Sequence, residues 1–133
     1  VCSSDLTTWA EAARHPLVLL TQEMHNRSII DTALRESGMP VAPAIETNSV
    51  LTLVLSVLAG DVCSVLPGAM VAAVRSEPNL EALPLVEPEV RTPIGFMTQR
   101  GPRVSRALGS ALELLDNPLW KGQLAAHYGD LPG

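Results

Sequence analysis

The segment from Glu46 to Pro67 constrains the fold more than any other part of the chain. Glu46-Thr47-Asn48-Ser49-Val50 leads into an almost unbroken apolar run over residues 51–59; Gly60 ends it, and a second apolar piece follows, Cys63-Ser64-Val65-Leu66-Pro67. The run is too long for a strand, Thr47 or Asn48 can cap its start, and glycine suits its stop, so the order reads strand, polar turn, helix, strand. Along the helix predicted over 48–59, Asn48, Thr52 and Ser56 make one narrow polar stripe at i, i+4 and i+8 and all residues from Val50 on outside it are apolar, so the helix is expected to be packed on nearly every side. A strand that ends in hydroxyl and amide side chains at a helix start suits a small anion, because the first-turn N–H groups are unpaired and the helix dipole is positive there.

Chain length and charge limit what can surround that unit. With 133 residues, 47% of them hydrophobic, the chain can bury one real core, and a single lobe is expected. A formal charge of −5 with only 9 Lys+Arg leaves no electrostatic footprint for nucleic acid, so any DNA contact must come from elsewhere. The apolar run falls well short of the roughly 20 residues that span a bilayer, which makes it a core helix. No secretory leader pattern opens the chain, and a cytoplasmic location is expected. Cys2 and Cys63 form no disulfide framework or metal motif, and Cys63 reads as a small buried hydrophobe. His15, His25 and His127 lie far apart, so no metal and no cofactor is expected. Residues 1–6 match the in-frame translation of a common sequencing-adapter tail and are expected to be non-native, with the reading frame cut upstream.

The remaining elements follow from local signals. Thr7 or Thr8 can cap a short helix through Trp9 and Ala13, stopped ahead of Pro16. Leu17-Val18-Leu19-Leu20 reads as a fully apolar strand central in its sheet. Residues 21–26 form a loop, and residues 27–37 a helix with Ile30, Ala33 and Leu34 on one side and Gly38 just past its end. Residues 42–46 form an edge strand, since Pro43 removes a ladder donor. A strand over 63–66, a short helix over 68–74, strand character over 81–86 and 93–98, a helix from Pro102 to about Asp116, and a last helix over 119–128 complete the reading. The alternation implies a mostly parallel sheet with helices on both faces, its ligand beyond the carboxyl ends of the strands. The loops after Leu20, Glu46 and Leu66 should therefore face one opening.

These residues give the chain a family resemblance. His15-Pro16-Leu17-Val18-Leu19, Ile30-Asp31-Thr32-Ala33-Leu34 with Ser37-Gly38, Glu46-Thr47-Asn48-Ser49-Val50 with Val57-Leu58-Ala59-Gly60, Val65-Leu66-Pro67, Ala82-Leu83-Pro84-Leu85-Val86 with Pro88, and Ile94-Gly95-Phe96 occur in an order and spacing that resemble the effector-binding domain of LysR-type transcriptional regulators. The resemblance runs from Leu6 to about Leu115. It implies an α/β fold of the periplasmic-binding-protein-like type II class, in which two lobes enclose a small-molecule cleft. By that mapping the two-lobe domain is incomplete: residues 7–100 supply the second lobe, residues 101–133 supply a C-terminal helix returning to the first, and the first lobe and the DNA-binding winged helix-turn-helix lie outside the chain. Carried over by position, Thr21, Gln22, Thr47, Asn48 and Ser49 would hold the effector, with Pro67 and Gly68 lining a third edge. The family usually has a Gly-x-Gly step where this chain has Gly60-Asp61-Val62, and since Val62 cannot take a positive φ cheaply, the backbone is expected to differ there.

The resemblance implies that the chain is the effector-sensing domain of a DNA-binding regulator, with a small and anionic metabolite expected as ligand and a homodimer or tetramer expected as the assembly. The 27–37 helix and the 42–46 strand are the expected pairing surfaces. A solute-binding protein of a transport system, which shares the fold, is the alternative. Catalysis is not expected, because Thr, Gln, Asn and Ser occupy the strand ends where proton transfer would need paired carboxylates or a nucleophile with its base. Gln22, His25 and Asn26 otherwise read as solvated loop residues, and Arg27, close to a helix N-terminus, needs a partner such as Asp31 or a bound anion.

Overall fold

The structure, a computed structural model, describes residues 6–74, 76–92, 97–98 and 105–125. Its centre is β2 (Val18–Leu20), four-square with the apolar reading: Leu17, Val18, Leu19 and Leu20 are all buried. Side chains alternate across a strand, and both faces here are covered. Leu17 and Leu19 meet Ile30, Ala33 and Leu34 of α2 (His25–Glu36) together with Trp9 of α1 (Trp9–Ala12). On the other face Val18 and Leu20 meet Leu53 of α3 (Val50–Leu58), flanked by Val50, Val54, Val57 and Leu66.

β3 (Ile45–Thr47) pairs with β2 in parallel, placing Leu20 opposite Thr47. Along the other edge of β2, the Val18 N–H donates to the Cys63 carbonyl and the Cys63 N–H to the Pro16 carbonyl, a single parallel bridge between Leu17 and Cys63. β2 is thus central, as its composition requires. The strand expected over 63–66 is reduced to that bridge. Cys63 is exposed rather than buried, since its backbone is held by β2 but no described residue covers its side chain.

A second parallel pair joins β1 (Thr7–Thr8) to β4 (Leu85–Val86). Thr8 then caps α1 in a reciprocal box: its hydroxyl accepts from the Glu11 N–H, and the Glu11 carboxylate accepts from the Thr8 N–H. Trp9, buried beneath this corner, donates from Nε1 to the Pro88 carbonyl at 2.9 Å.

Helix ends follow the glycines. Past α2, Gly38 at φ 76° lets its N–H reach the Arg35 carbonyl and the Met39 N–H reach the Leu34 carbonyl, the paired bonds of a Schellman turn. α3 ends at Gly60 (φ 91°), and the next residue, Asp61, is also left-handed at φ 72°. Departure from Gly-x-Gly is therefore absorbed at Asp61, a residue type that tolerates this region, and not at the β-branched Val62.

α3 is not packed on nearly every side: Leu51 and Leu55, one turn apart, are 68% and 54% exposed. Only the face carrying Leu53 lies on the sheet. α4 (Gly68–Val74) has the expected bounds, and α5 (Arg106–Asp116), capped by Ser105, packs on α6 (Pro118–Ala125). Residues 81–84 and 97–98 are not strand. Val1 to Asp5, Pro93 to Phe96, Arg100, Pro102 to Val104 and residues 126–128, on which other expectations rest, lie outside the described residues. Among the described residues no helix is long and apolar enough to cross a membrane.

Candidate functional site

The carboxyl ends of β2 and β3 share one rim. Leu20 and Thr47 are register partners, and Leu66, past the isolated Leu17–Cys63 bridge and outside any strand, packs against the cluster of Val18, Leu20 and Leu53. Beyond β2 and β3, the Thr21 N–H donates to the Thr47 carbonyl at 3.0 Å, joining two of the sequence-predicted residues.

At the β3 end, the Thr47 hydroxyl accepts from the Ser49 N–H at 3.1 Å, which leaves its own proton to donate. Ser49, not Thr47 or Asn48, caps α3, accepting from the Thr52 N–H at 3.2 Å; the helix begins at Val50 because Thr47 is committed to the turn before it. Asn48 is exposed at the tip of this turn. At the β2 end, the Met24 N–H closes a turn on the Thr21 carbonyl, and α2 starts at His25, two residues earlier than its apolar pattern predicts. Gln22 is exposed. Half-buried Pro67 and Gly68 open α4 on the other flank of β2, with no hydrogen bond to Thr21 or Thr47 among the described residues.

Two side-chain atoms at this rim, Thr21 Oγ1 and Asn26 Nδ2, are buried with no hydrogen-bond partner among the described residues. Glu23 is near enough to Thr21 to feel it: its carboxyl is held below the usual range, first by its own backbone N–H and then by the Thr21 hydroxyl. The approach nevertheless falls outside hydrogen-bond geometry, so Thr21 Oγ1 stays unsatisfied. Buried polar atoms in native proteins nearly always find partners, which makes such a pair at a strand-end rim informative.

Directly behind the rim sits Arg27, buried at 3% exposure. Its Nε donates to Asp31 Oδ1 at 2.8 Å, and its Nη1 donates both to the Leu20 carbonyl at 2.7 Å and to Glu46 Oε1. Burial alone would lower the pKa of this guanidinium, but the hydrogen bonds and charges of Asp31 and Glu46 outweigh it and raise it. Sequence reasoning found Asp31 through its i, i+4 spacing but missed Glu46, which is distant in sequence and reaches Arg27 only through the parallel pairing. Asn26, read as a solvated loop residue, instead lies in the first turn of α2 with a buried amide nitrogen. Among the described residues no three of His, Cys, Asp and Glu gather to hold a metal.

A parallel sheet with hydroxyl and amide groups converging on its carboxyl edge is the arrangement that the resemblance implies, and a family model, the LysR substrate binding domain, matches residues 1–118. The chain belongs to this family. No curated protein and no solved structure matched it. LysR substrate-binding domains are the effector-binding part of transcription regulators, and the α/β architecture with small parallel sheets agrees with the periplasmic-binding-protein-like fold of the family.

Proposed function

We propose that this LysR substrate-binding domain binds a small anionic metabolite in a cleft between two lobes. In this reading residues 7–100 are the second lobe, and residues 101–133 carry the helix that returns to the first. Thr21, Gln22, Thr47, Asn48 and Ser49 contact the effector, and Pro67 and Gly68 border it. DNA is bound by a helix-turn-helix outside this chain, and the assembled regulator pairs through α2 and β3. Effector binding biases two arrangements of the regulator through its different affinity for each.

The observation that carries the reading is the pair of buried atoms, Thr21 Oγ1 and Asn26 Nδ2, that have no hydrogen-bond partner among the described residues, at a rim that Thr47 shares. A hydroxyl and an amide can donate to a carboxylate without burying a protein charge, so they suit recognition of an anion better than proton transfer.

Replacing Thr47 with Val in the full-length regulator keeps the side-chain volume and removes the hydroxyl, both as donor to the effector and as acceptor of the Ser49 N–H. The inducer concentration for half-maximal response should rise about tenfold or more, the cost of one lost bond to a charged group, while DNA binding without inducer stays as in the parent. An unchanged dose–response curve would remove Thr47 from the site.

A further inference from the structure

Arg27 is the most buried charged side chain among the described residues, and its contacts are unevenly placed. The bond to Asp31 runs along α2 itself and fixes the guanidinium on its own helix. The two hydrogens of Nη1 point away from the helix, one to the carbonyl of Leu20 and one to the carboxylate of Glu46. Leu20 and Glu46 immediately precede Thr21 and Thr47. One nitrogen therefore ties together the last residue of β2 and a residue of β3, each a single peptide away from a threonine of the proposed effector site.

We infer that Arg27 is the positioning residue of the effector site, a clamp that holds Thr21 and Thr47 in register without touching the effector. The inference rests on the assignment of those two threonines to the site. Just beyond the clamp, the Thr21 N–H to Thr47 carbonyl bond is the last rung between the two segments, and a terminal rung frays unless something holds both sides. β3 is three residues long and its Ile45 and Glu46 are exposed, so little apolar packing holds it against β2. A planar guanidinium anchored at one end by Asp31 supplies what packing does not, and its rigidity loses little freedom per bond formed.

The test contrasts two substitutions that each neutralise one carboxylate on the same arginine. Glu46→Gln weakens the link between the strands, whereas Asp31→Asn weakens only the contact along the helix. Both carboxylates are partly exposed, so both variants fold; Arg27→Met serves as the stronger break. Backbone amide exchange is read by mass spectrometry with residue-level fragmentation on the 133-residue chain, alone and with acetate as the probe.

Glu46→Gln should speed exchange at the Thr21 amide by up to about fivefold, the worth of a half-exposed charged pair, and Arg27→Met by more. Exchange in the middle of α2 should stay within about twofold of the parent, and so should Thr21 in Asp31→Asn. A purely structural arginine would loosen the sheet and α2 together. Unchanged Thr21 exchange in Glu46→Gln, or equal acceleration throughout, would overturn the clamp. Acetate should slow exchange at Thr21 and Ser49 in the parent and do so less in Glu46→Gln. If Glu46→Gln loosens Thr21 while acetate protects neither chain, the clamp stands and the reading of the site as a carboxylate receptor fails.

Discussion

At the scale of single residues, the stability of this fold is concentrated in few side chains. Leu19 is fully buried between α1 and α2, and Leu19→Ala leaves a cavity that flanking helices cannot fill without leaving the sheet. The expected loss is about 2–5 kcal/mol, read from the urea midpoint; a loss under about 1 kcal/mol would mean that the core collapses around the gap. Glu11 gives a pH-dependent counterpart. Its carboxyl is held below the ordinary range, first by the Thr8 backbone N–H, then by the Thr8 and Thr7 hydroxyls. A pKa lowered on folding contributes stability that is fully present above the unfolded value of about 4.3 and disappears as pH falls through the folded one. Glu11→Gln keeps a capping acceptor without the titration, so its urea midpoint should fall less steeply below that pH than the parent's. Parallel acid limbs would show that Glu11 does not set the slope. Arg27 adds nothing of this kind: its pKa is raised from a value already far above neutrality, so the charge and its contribution persist throughout the working range.

Individual elements show what local sequence can and cannot disclose. β2 was legible because four consecutive apolar residues need cover on both faces, and α2 because its buried Ile30, Ala33 and Leu34 recur at helical spacing ahead of a glycine stop. β1 and β4 were not legible as a pair. Each has two residues, Thr7 signals a helix start as readily as a strand, and its partner Leu85 is set by the tertiary fold. The site was half legible: the polar turn over residues 47–49 announces a helix start, although the cap falls on Ser49 because the Thr47 hydroxyl is taken by the turn, whereas the burial of Asn26 and the meeting of Arg27 with Glu46 depend on chain pairing. Helix α3 carries the clearest element-level prediction. Its last turn has no basic residue, and past its end Asp61 sets a negative charge against the negative pole of the helix in a left-handed conformation. Asn accepts that conformation at least as well and has no charge, so Asp61→Asn should stabilise by about 0.3–1 kcal/mol. Gly60→Ala should do the opposite, costing about 1–2 kcal/mol through φ alone, since the added methyl meets nothing within 4 Å. Melting curves of the two variants that moved in the same direction would contradict this account of the turn.

For the whole molecule, the distribution of apolar side chains matters more than their number. β2 is sealed on both faces, yet Leu51 and Leu55 of α3 and Leu114 and Leu119 of the C-terminal helices lie open to solvent. Neighbouring leucines at i and i+4 form a stripe, unlike the scattered single apolar residues that any surface carries. In the proposed two-lobe arrangement such surfaces would be covered; in the chain alone they are available to another copy. The 133-residue chain should therefore self-associate as its concentration rises, with a sedimentation coefficient that climbs over the micromolar range. Replacing Leu51 with Glu and Leu55 with Lys puts opposite charges at helix i, i+4 spacing, which favours the helix slightly and removes the apolar stripe. Since neither leucine is buried, the double variant should keep the parent's urea midpoint within about 0.5 kcal/mol while its association weakens. A parent that sediments as a monomer at every concentration would show that α3 offers no adhesive face. A double variant that associates as strongly as the parent would instead move the contact to α5 and α6.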